Sequence, residues 1–163
     1  MKSITAALLA VALVGCAAQP PVPEGYNGPV ATVSDSAFSE SRMKAQLFVL
    51  AEVDGNAIPN SFGASARASQ GAGAALTTKL VDRQVPAKPM KVKLLASHTT
   101  GAPIHAMFSQ AAGTFFSVDG VVDFSPKPDG KYVVKGVLKK EGSSVWIEDA
   151  DTKQPVTEKV VKK

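Results

Sequence analysis

The sequence predicts a mainly β protein, a single antiparallel two-sheet β-sandwich of seven or eight strands with one short helix. Three observations carry that expectation. Short runs alternate apolar and polar residues with the period of strands that bury one face. Turn signals rich in Gly, Pro and Asp recur at about 8–15-residue intervals. Only one segment has the punctuation of a helix, with Pro103 before residues 104–112 and Gly113 after them.

The first element is not part of the sandwich. Met1-Lys2-Ser3 precedes an apolar run from Ile4 to Val14. A short basic start and an apolar stretch of about 7–15 residues describe a secretory signal. The run is too short to span a bilayer, which takes roughly 20 apolar residues. It ends in Leu13-Val14-Gly15-Cys16, which holds the only cysteine. This tetrapeptide resembles the lipobox of bacterial lipoproteins. The resemblance covers residues 1–16 and implies that Cys16 is diacylated on sulfur and becomes the new N-terminus after cleavage. Two or three acyl chains give stable attachment where one does not. Ala17, in place of Asp, implies passage to the outer membrane in a Gram-negative host. The implied location is the cell envelope, lipid-anchored, on the periplasmic face.

Removing residues 1–15 from 163 leaves 148, enough for one core, and removes Lys2, so the formal charge falls from +4 to +3. Residues 16–30 carry the lipidated Cys and Pro20, Pro21, Pro23 and Pro29, which read as an extended tether; residues 31–163 form the sandwich domain. The lysines are dispersed along the chain: Lys91 and Lys93, Lys139 and Lys140, then Lys159, Lys162 and Lys163. A nucleic-acid site needs a clustered basic stripe with stacking aromatics, so no nucleic-acid partner is expected.

Within the domain, Ala31–Val33 reads as a first strand and residues 34–42 as a turn or one helical turn. Leu47, Val49, Ala51 and Val53 alternate with Phe48, Leu50 and Glu52, the period of a largely buried strand, before the tight-turn signal Asp54-Gly55. Residues 60–75, rich in Ser, Ala and Gly, read as a flexible or bulged strand edge, or as a small-residue surface against which another polypeptide packs. Leu76–Val81 reads as a strand. Met90, Val92, Leu94 and Ala96 alternate with Lys91, Lys93, Leu95 and Ser97. Phe116, Val118, Val122 and Phe124 share one face, opposite Asp119 and Asp123. Tyr132, Val134 and Leu138 alternate with Lys135 and Lys139. Val145–Glu148 and Val156–Val161 complete the strands. Gly120 and Gly136 fall at inward positions, where glycine marks a bulge or a close approach. This late segment resembles the immunoglobulin-like and transthyretin-like β domains of small envelope lipoproteins. The likeness implies a fold and no activity.

Candidate chemistry is sparse. His98 and His105 are the only histidines, too few for a zinc site once Cys16 is acylated, so no metal or cofactor is expected. A hydrolase built on Ser65 or Ser69 with one of these histidines lacks the Gly-x-Ser-x-Gly elbow, because Arg67 stands where the second Gly belongs. The acidic turn Glu148–Asp151 lacks the Gly and closing Glu of a calcium loop. Trp146 faces outward with Glu148 if Val145 and Ile147 face the core, and lies in the core if the register is reversed. Outward, it suits a partner hot spot or a sugar platform. Phe115 faces away from Phe116 and joins such a patch. The residues expected to form a partner surface are therefore Trp146, Glu148, Phe115 and Arg67. The expected role is a non-catalytic interaction or structural accessory, with an envelope protein or wall polymer as partner. A wall-polysaccharide or small-ligand module is the alternative, and a small hydrolase or metal-dependent enzyme the third.

Overall fold

The computed structural model describes residues 18–162; the signal segment and Cys16 lie outside that range. Ten strands and two helices follow in the order β1 (Val30–Ser34), β2 (Ser36–Ser39), β3 (Lys44–Val53), β4 (Asn56–Ala57), α1 (Ser61–Ala68), β5 (Asp82–Pro86), β6 (Met90–Thr100), α2 (Pro103–Ala111), β7 (Ser117–Phe124), β8 (Lys131–Val137), β9 (Ser143–Asp149) and β10 (Val160–Lys162). They form a two-sheet sandwich, as the alternation predicts. One sheet runs β10-β9-β8-β1-β5, the other β2-β3-β6-β7 with β4 on the end of β3. All pairings are antiparallel except β1 with β8, where Thr32 to Ser34 run alongside Lys131 to Val133.

The core lies between the sheets. Phe48, Leu50, Val92, Leu94, Val118, Phe124, Tyr132, Val134, Val145 and Ile147 fill it. Phe124 and Tyr132 meet edge-on with ring centroids 5.1 Å apart. The two inward glycines mark close approaches. A Cβ on Gly136 would stand 2.5 Å from Phe48 Cδ1, and one on Gly120 would stand 2.7 Å from Val160 Cγ1. Asp54 and Gly55 both take positive φ, closing the β3–β4 hairpin.

Four segments differ from expectation. Of Val156–Val161, read as the last strand, only Val160 and Val161 lie in β10. Residues 36–39, read as a turn, form the edge strand β2. Residues 61–68, read as a strand edge, form α1, capped by the Asn60 side chain, which accepts from the amides of Phe62 and Gly63. Leu76–Val81, read as a strand, is extended but pairs with no strand; β5 begins at Asp82. Its partners are serines. Val81 N–H donates to Ser61 Oγ at 3.0 Å, Lys79 N–H to Ser65 Oγ at 2.9 Å and Thr77 N–H to Ser69 Oγ at 2.9 Å. The geometry is commensurate: four helical residues rise about 6 Å, and two extended residues advance about 6.6 Å. A serine every fourth residue of α1 therefore meets every second amide of the extended segment. The second polypeptide expected against this small-residue surface is the chain's own next segment. Ala45, Leu47 and Val49, on the face of β3 turned away from the other sheet, are buried under this layer.

Where β1 hands over to β2, Asp35 is buried and accepts five hydrogen bonds. Its Oδ1 takes Leu50 N–H at 3.0 Å and Arg83 Nη1 at 2.8 Å. Its Oδ2 takes Ser61 N–H at 2.9 Å, Ser61 Oγ at 2.8 Å and Arg83 Nη2 at 2.6 Å. One carboxylate thus ties both sheets to the start of α1.

Candidate functional site

The long strands give the sandwich two distinct ends. At one end the tether is docked: Gln19 N–H donates to Ala57 O at 2.8 Å, and Pro20, Pro21 and Pro23 line a small pocket of about 100 Å³ with Val53, Ile58 and Met90. The other end lies the length of β6 away, roughly 35 Å for its 11 residues. There the chain leaves β6 at Thr100, forms α2 and returns into β7.

Helix α2 buries none of its side chains. Ile104 is 51% exposed, Met107 64% and Phe108 68%, at i, i+3 and i+4 of one apolar stripe. Ordinary surface helices turn such a stripe to the core. Here Pro103 at the first turn and the tight Thr100–Ala102 link hold the helix on the end of the sheet with the stripe outward. Met43, 41% exposed, lies beside it, since Gly101 N–H donates to Met43 O at 3.0 Å.

Between α2 and the loop after α1 runs an open groove of about 760 Å³, walled mainly by Ala66, Gly71, Gly73, Gly101, Ala106 and Phe115. Its small side chains follow from close packing, because a Cβ on Gly101 would stand 2.3 Å from Ala74 O. His98 lines the groove, buried, with its ring 5.5 Å from that of Phe115 and 5.8 Å from that of Phe116. Neither ring nitrogen has a hydrogen-bond partner among the described residues, although Nδ1 lies 3.2 Å from Glu40 Oε1. Burial pushes the imidazole below its ordinary value of 6.5, outweighing the pull of Glu40 upward. Glu40 itself is held below its ordinary 4.5: burial opposes this, but the Gln46 hydrogen bond, His98 and Lys44 together prevail.

Beyond Phe115 is a second pocket of about 160 Å³, lined by Phe115, Phe116, Ser143, Lys139, Lys140 and Lys162. Lysines dispersed in the sequence converge here because β10 runs antiparallel to β9, setting Lys162 opposite Ser143 beside the β8–β9 turn.

The residues expected to form one partner surface are not gathered. Trp146 is turned away from the core, as Val145 and Ile147 are fully buried, but it is half-covered: Lys159 Nζ sits 4.2 Å from its ring centroid and its Nε1 is buried without a partner. Glu148 shares that outer face of the sheet. Arg67 is exposed in the last turn of α1, over the other sheet. Only Phe115 lies at the helix end. His105 sits in α2, and no hydrogen bond joins it or His98 to a serine or carboxylate among the described residues. The Ser65 and Ser69 hydroxyls are engaged with the backbone of Lys79 and Thr77. Among the described residues no group of three or more His, Cys, Asp or Glu side chains converges on a point, and no helix is long and apolar enough to cross a membrane. The sequence signal that marks the helix end is Ile104, Met107 and Phe108 at helical spacing, in a stretch from Gly101 to Val118 with no Asp, Glu, Lys or Arg.

What the fold and the site define is a two-sheet antiparallel sandwich with an apolar, basic-rimmed end. In comparisons with known proteins the chain matches no family model, no curated protein and no solved structure.

Proposed function

We propose that this chain is a lipid-anchored envelope protein with a non-catalytic accessory role, held to the membrane through Cys16 and docking a partner through the outward face of α2. The observation that carries the reading is the exposure of Ile104, Met107 and Phe108 together on one helix. Contiguous apolar side chains that leave water on only one side favour association, and aromatic anchors dominate such contacts. The tether docks on the opposite end, so an anchored domain presents α2 outward. The acylation of Cys16 rests on the lipobox resemblance alone.

The test is in-cell photo-crosslinking from position 108, with position 80 as the comparison, since Leu80 is 53% exposed and lies off this end. One abundant envelope protein captured from 108 and not from 80 supports the reading. Equal capture from both positions, or the same capture after Met107→Asp, removes it. The alternative of a small-ligand module draws on a different observation, the groove beside α2.

A further inference from the structure

The end that carries α2 has the two parts a single-chain anionic lipid requires, arranged in order. The groove between α2 and the loop after α1 is open and mainly apolar, with Ala66, Gly71, Gly73, Gly101 and Ala106 leaving room between its walls and Ser69, Gln70, Thr99 and Thr100 supplying its polar atoms. A volume of about 760 Å³ lies within the range of small-molecule sites, roughly 300–1,000 Å³. Its far wall, Phe115, is also a wall of the pocket that holds Lys139, Lys140 and Lys162. None of these lysines has a carboxylate within ion-pair distance among the described residues. At the junction stands His98, 4% exposed, with two unpartnered ring nitrogens and lining the groove.

We infer that this end holds an anionic single-chain lipid, a lysophospholipid or a free fatty acid, with its acyl chain in the groove beside α2 and its phosphate or carboxylate at Lys139, Lys140 and Lys162. The His98 ring lines the groove, but its two nitrogens expose no surface to it, so the charge is not placed there. Glu40, 3.2 Å from the imidazole, repels an anion at that point. The lysines lie on the other side of Phe115, away from Glu40. Ser143 Oγ lies in the same pocket; it accepts from Lys139 N–H at 3.4 Å and its hydroxyl donates to Lys139 O at 3.3 Å, and a head group offers it a better acceptor. The inference uses the same end as the docking reading but stands on the groove and the basic pocket, not on the outward stripe.

The experiment is calorimetric titration of the full chain carrying Cys16→Ser, so that no attached acyl group competes. The probes are palmitoyl lysophosphatidic acid, palmitate and palmitoyl lysophosphatidylcholine, each below its micelle concentration. Saturable one-to-one binding is expected for the first two, and at least about tenfold weaker binding for the last, whose head carries no net charge. Lysophosphatidic acid exceeding palmitate identifies the phosphate as the head recognised; the reverse order identifies the carboxylate. Ala106→Trp fills the groove and abolishes binding of all three. The double variant Lys139→Glu/Lys140→Glu, at exposed positions that leave the fold intact, weakens the two anionic probes at least about tenfold. Phe108→Asp changes neither result. No binding by the unsubstituted chain overturns the inference, as does binding that survives Ala106→Trp. Binding that appears only with micelles or vesicles and is lost in Phe108→Asp also overturns it, in favour of an end that docks on a lipid surface. A protein captured from position 108 by a chain that binds no lipid leaves the docking reading standing and removes this one.

Discussion

Asp35 is the residue on which most of the local order depends, and nothing in its sequence context, Ser34-Asp35-Ser36, distinguishes it from a turn aspartate. Its role emerges only when the chain switches sheets and leaves the Leu50 amide without a strand partner. Removing one member of a buried ion pair strands the other, at a cost of about 3–5 kcal/mol. Arg83→Met is therefore expected to lower the unfolding free energy by about that amount in urea titration, and Asp35→Leu combined with Arg83→Met by less than the sum of the single changes. His98 gives a pH-dependent counterpart. Its folded value lies below 6.5, so on acidification the unfolded chain takes up the proton first. Stability should be level above pH 6.5, fall as the pH drops through it, and level again below the folded value. His98→Gln should remove that fall between pH 7 and 5, measured by melting temperature at each pH. The Glu40 contribution is lost only at pH values below 4.5, as its own folded value is passed.

At the scale of elements, the serine ladder of α1 is the interaction most open to test. Ser65→Ala leaves the Lys79 amide unsatisfied and should cost about 1–3 kcal/mol, with faster hydrogen exchange at Lys79 than at Thr77 or Val81. Gly136→Ala forces a Cβ to within 2.5 Å of Phe48 and 2.6 Å of the Ser144 carbonyl, and should cost about 1–3 kcal/mol in the same titration. The strands were legible because a half-buried strand writes its period into the sequence, as β6, β7 and β8 do, whereas β3 is buried on both faces and reads as a nearly continuous apolar run. α1 was not, because it faces the sheet with serines and no apolar stripe; its signal was a serine at every fourth position from 61 to 69, after the capping Asn60. The extended run 76–81 reads as a strand because its backbone is strand-like, and only its partner is unusual. α2 was legible as a helix, yet which way its apolar stripe points depends on packing. The same limit applied to Trp146, whose outward orientation follows from the register but whose Lys159 cover does not.

For the whole molecule, function and stability are separated in space. The outward stripe of α2 contributes no buried side chain, so Met107→Asp should leave the melting temperature within a degree or two while abolishing partner capture from position 108. The lysines of the basic pocket became visible only with the β9–β10 pairing, since residues 139, 140 and 162 are remote in sequence. The placement of β1 has a mechanical consequence. It is the first strand after the tether, yet it lies between β5 and β8 inside its sheet. Under the proposed anchoring, a pull on the N-terminus that strips residues 19–23 from their pocket would enter the strands at Val30 and run along β1. It loads the ladders to β5 and β8 in shear along their whole length, with the Asp35 carboxylate pinned behind them. An edge strand would unzip one hydrogen bond at a time, whereas here the rows on both sides must give way together. Under the proposed function, a domain strung between a membrane and a partner would be gripped at the strand best placed to bear the tension.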